Sequence, residues 1–67
     1  MKFIKLHHIS GTDMYVNIEK IDIITQTNTN TKLNIAGNID TIYVSETAEE
    51  ILKMVDKRLF ELSIAET

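Results

Sequence analysis

Ser45-Glu46-Thr47-Ala48-Glu49-Glu50-Ile51-Leu52-Lys53-Met54-Val55-Asp56-Lys57-Arg58-Leu59-Phe60-Glu61-Leu62 is the one stretch of the chain with a clear helical period, against upstream segments that alternate like strands. Ala48, Ile51, Leu52, Val55, Leu59 and Leu62 recur in a three-and-four pattern, which stacks them on a single helix face. Thr47 is the best start. Its hydroxyl can accept from the N–H three residues on, while Glu50 reaches back to the Thr47 N–H, the capping-box spacing. Glu49 and Glu50 complement the positive end of the helix dipole, and Glu49 is spaced one turn from Lys53 for an ion pair. The helix is expected to end near Leu62, with residues 63–67 fraying or adding a last turn.

At about 100° per residue, Phe60 falls opposite the stripe of Ile51, Val55 and Leu62, and Ile64 lies near it, whereas Met54 only flanks the stripe. Phe60 and Ile64 therefore form a second apolar edge. They are the candidate partner contact.

Upstream, the chain alternates like strands. Phe3 to Ile9 places Ile4, Leu6 and His8 on one side, and Ser10-Gly11-Thr12-Asp13 supplies a turn. Met14 to Ile18 pairs back, with Met14, Val16 and Ile18 on one face. Asn17 to Ile21 is too short for a helix between strands and predicts a single turn or kink. Ile21 to Gln26 is β-branched and strand-like, Thr27-Asn28-Thr29-Asn30 is a polar loop, and Thr31 to Ile35 alternates with Leu33 and Ile35 inward. Gly37-Asn38 turns the chain into a last strand, Thr41 to Ser45, with Ile42 and Val44 facing the core. The expected fold is α+β: one domain over residues 1–67, an antiparallel sheet of about five strands with one C-terminal helix packed on it. Its expected core is Ile4, Leu6, Val16, Ile21, Ile23, Leu33, Ile35, Ile42, Val44, Ile51, Leu52, Val55 and Leu59.

A chain of 67 residues buries only about 60% of the surface that its unfolded form exposes. Domains this small usually add disulfides, a metal or a partner subunit. The absence of Cys removes the first and the thiolate zinc sites, leaving a homo-oligomer or another protein partner as the expected supplement. No apolar run is long enough for membrane insertion, and Met1 to His8 is too short and polar for a signal peptide. The expectation is a soluble, cytoplasmic protein. A net charge of −3 argues against a nucleic-acid partner, because such affinity is built from Lys and Arg against phosphates.

No catalytic, cofactor-binding or metal-binding residues are expected. His7 and His8 are adjacent in a strand and point to opposite faces, so they do not converge on one ion. The carboxylates are dispersed. Gly11 and Gly37 stand alone rather than in a phosphate-cradling loop, and Lys53, Lys57 and Arg58 are interleaved with Asp56 and Glu61 as on a solvated face. An enzyme is not the expected class.

The order of these signals resembles the FlbD-like family of small bacterial proteins associated with flagella and swarming, which has uncharacterised bacterial and phage relatives. The residues that carry the resemblance are Phe3-Ile4-Lys5-Leu6, Tyr15-Val16-Asn17 with Ile21, Leu33 to Gly37, and Tyr43-Val44-Ser45-Glu46-Thr47 with Glu49-Glu50-Ile51. Two stretches depart from it: Asn38 to Glu46 is longer than the family's tight hairpin, and Thr27 to Asn30 lacks an acidic-proline turn. The resemblance implies a noncatalytic, self-associating adaptor linked to motility or encoded by a phage. The strand followed by a capped helix also resembles part of a LytTR-type DNA-binding domain, which implies the alternative of a nucleic-acid-binding regulator.

Overall fold

In the computed structural model, which describes residues 2–65, β1 (Phe3–His7) and β2 (Asp13–Asn17) form an antiparallel hairpin. Gly11 closes its turn with φ +96°, in the left-handed region that favours glycine. The expected kink is a single 3-10 turn, Ile18–Lys20, started by Asn17, whose Oδ1 accepts the Glu19 N–H at 3.0 Å. β3 (Ile21–Gln26), β4 (Thr31–Ile35) and β5 (Thr41–Val44) follow as an antiparallel meander, and α1 (Ala48–Ala65) ends the described chain.

The expected single sheet is two sheets, β1-β2 and β3-β4-β5. They meet at one antiparallel bridge between His8 and Val44. The flanking bonds there run from Ile9 N–H to the Tyr43 carbonyl at 3.2 Å and from Ser45 N–H to the His7 carbonyl at 2.9 Å. The ladder stops because β1 bends into the Ser10-Gly11 turn on one side while β5 gives way to the helix cap on the other.

Ile4, Leu6, Val16, Ile18, Leu33, Val44 and Ile51 form the buried core, with Ile21, Ile24, Ile35, Ile42, Met54 and Val55 partly buried against it. Three expected core residues are exposed: Ile23, Leu52 and Leu59. For Ile23 the reason is a register shift between Ile21 and Ile23, which pairs Ile24 with buried Leu33 and turns Ile23 outward. For Leu52 and Leu59 the reason is geometric. An 18-residue helix is about 27 Å long, whereas strands of four to six residues span only about 13–20 Å. The sheets contact the helix through β1 and β3. No residue after Val55 belongs to the core among the described residues. The helix also continues beyond Leu62, through Ser63 and Ile64 to Ala65.

Candidate interaction surface

The proximal end of α1 is pinned to both sheets. The capping box forms as read: Glu50 N–H donates to the Thr47 hydroxyl and Thr47 N–H donates to Glu50 Oε1, each at 3.1 Å. A further orphan donor of the first turn, the Ala48 N–H, is taken by Gln26 Oε1 of β3 at 2.8 Å. Thr31, fully buried in β4, donates its hydroxyl to the Glu46 carbonyl at 2.6 Å. Alternation places Thr31 on the face of Leu33 and Ile35, but the residue type hid its burial in the sequence. A hydroxyl is buried at little cost when it finds such a partner.

The Glu46 carboxylate adds a tie to β1. Its Oε1 accepts the His7 main-chain N–H at 2.9 Å, and its Oε2 meets His7 Nδ1 at 2.5 Å. On the other side of the ring, His7 Nε2 lies 3.3 Å from Asp13, which Lys5 also reaches at 3.4 Å. Asp13, at the start of β2, thus sits between Lys5 and His7. Partial burial pushes the Glu46 carboxyl up, but the His7 main-chain and imidazole bonds outweigh it and hold the group below its ordinary range. His7 therefore joins the β1-β2 hairpin to the β5-α1 junction. Its two ring nitrogens face carboxylates on opposite sides, so the cluster does not converge on one ion. Among the described residues no group of three or more His, Cys, Asp and Glu side chains is arranged to hold a metal.

The distal half of α1 is different. Leu59 is 49% exposed, Phe60 66% and Ile64 57%, and Leu52 on the flank is 53% exposed. At about 100° per residue, Leu59 and Phe60 point a quarter-turn apart, Leu62 lies towards the Ile51 side, and Ile64 lies beside Phe60 on the far side. From Leu59 onward apolar side chains stand on more than one face of the helix, Leu59, Phe60 and Ile64 being exposed, with Glu61 and Ser63 between them. Phe60 and Ile64 thus lie on the exposed edge read from the sequence, and Leu52 and Leu59, assigned there to the core, join them at the surface. The signal that could have found them is the mismatch between helix length and strand length. The expected Glu49–Lys53 pair does not form: neither side chain is ion-paired with another described residue.

No helix of the described chain is long and apolar enough to cross a membrane. Comparison with protein-family models, with curated proteins and with solved structures found no match.

Proposed function

We propose that the protein is a noncatalytic interaction module that self-associates through the distal half of α1, with Phe60 and Ile64 at the contact and Leu59 beside them. One observation carries this reading: Leu59, Phe60 and Ile64 stand exposed on a helix end that no core residue reaches, because the sheets end before they can cover it. Two considerations support it. A cysteine-free domain of 67 residues has a thin margin of stability, which a second subunit would widen. Burying one large apolar side chain is also worth roughly 1.5–3 kcal/mol. The resemblance to the FlbD-like family supports an adaptor role in a bacterial or phage setting, acting in the cytoplasm.

Sedimentation equilibrium over a concentration series tests this with wild type and Phe60→Ser. The expected result is wild-type association at concentrations of about 1–100 μM, weakened roughly tenfold or more by the substitution. A wild type that stays monomeric throughout, or a variant that associates equally well, would overturn it.

A further inference from the structure

A second surface lies away from the helix end, along β2. The hydrogen bonds His8 N–H to Thr12 carbonyl and Ile18 N–H to Lys2 carbonyl, each 2.8 Å, fix the phase of the β1-β2 ladder. With the register Ile4↔Val16 and Leu6↔Met14, the hydrogen-bonded positions of β2 are Met14 and Val16. The main-chain groups of Asp13 and Tyr15, and the Asn17 N–H, must then point away from β1. Among the described residues no strand lies on that side, where β2 pairs with β1 alone. On the opposite edge of the hairpin the outward groups of His7 are taken up, its N–H by Glu46 and its carbonyl by the Ser45 N–H. β2 therefore presents an open row of donors and acceptors.

A groove of about 420 Å³ runs beside this row. Four consecutive residues of β2, Met14 to Asn17, line it, so it follows the strand's edge. Across it stand Ile35 and Ile42 with Lys20. Lys20 forms no ion pair with another described residue.

We infer that β2 captures an extended peptide from another protein, added as a further strand, with alternate apolar side chains in the groove and a carboxylate against Lys20. The open edge requires extended backbone, the apolar walls require apolar side chains two residues apart, and the unpaired ammonium selects an acidic neighbour. A second copy's β2 does not fit. The side chains it would have to insert are Met14 and Val16, and those already pack in its own core.

The probe is a synthetic peptide of about eight residues alternating Val and Thr and ending in Glu, titrated while the protein's amides are followed by NMR. The expected result is shifts confined to residues 13–17, 20, 35 and 42, with slowed exchange at the Tyr15 amide. N-methylation of the alternate peptide amides that face β2 is expected to weaken binding roughly tenfold or more, and methylation of the other set to leave it unchanged. Lys20→Glu should reverse the preference between this peptide and one ending in Lys. Phe60→Ser, which tests the helix-end contact, should leave peptide binding intact, so the two surfaces fail or stand separately. Absence of binding at millimolar peptide, indifference to which amides are methylated, or protection of Tyr15 by rising protein concentration alone would each overturn the inference, the last in favour of a second copy at the edge.

Discussion

The two halves of α1 are written in similar letters and do opposite things. In the proximal half, residues 48–55, Ile51 is fully buried, Met54 and Val55 pack at the core margin, and the first-turn donors meet Thr47 and Gln26. In the distal half, residues 56–65, Leu59, Phe60 and Ile64 are exposed. Helix periodicity tells which residues share a face, but it is silent on how far the opposing surface extends. The difference between the halves is therefore set by the sheets, whose short strands cover only the first turns.

The comparison breaks most visibly if like substitutions have like effects. Ile51→Asp should abolish the cooperative thermal transition, since a carboxylate buried without a partner must stay protonated or open the core. Leu59→Asp should leave the melt of dilute protein near wild type. Equal losses in the two variants would show that the distal half packs internally. Next in size is the anchor: Thr31→Val leaves the Glu46 carbonyl without its donor, and denaturant unfolding should register a loss of about 1–3 kcal/mol. Thr47→Ala removes the cap and should cost about 1 kcal/mol by the same measurement.

The smallest effect is a pH dependence. Because the Glu46 carboxyl is lowered in the folded state, the stability it contributes is present above its ordinary value near 4.5 and is lost as pH falls through the lowered one. Glu46→Gln should therefore flatten the acid limb of stability below about pH 4.5 without altering the limb above neutrality. An unchanged acid limb would mean that the His7 contact does not bias the carboxyl.

Much of this architecture is legible in the residues. Thr47 and Glu50 announce the cap, Asn17 the single turn, and the period-two alternation of Ile4, Leu6, Leu33 and Val44 the inner faces of the strands. What is hidden depends on pairing between distant segments. The shift that exposes Ile23 and buries Ile24 is a property of β3 against β4. The partnership of His7 with Glu46 joins residues 39 apart in the chain. The split into two sheets arises from where β1 and β5 each stop. On the candidate surface, Phe60 and Ile64 were readable as an edge off the main stripe, whereas Leu52 and Leu59 fit the stripe and emerge only because the sheets are shorter than the helix.

Hydrogen exchange of the α1 amides at two protein concentrations, about 5 μM and about 500 μM, separates a helix end buried between subunits from one left in solvent. Amides from Ile51 to Val55 are expected to be protected equally at both, while those from Leu59 to Ile64 exchange fast in dilute protein and slow at least several-fold when concentrated. Distal amides whose exchange is the same at both concentrations would contradict it.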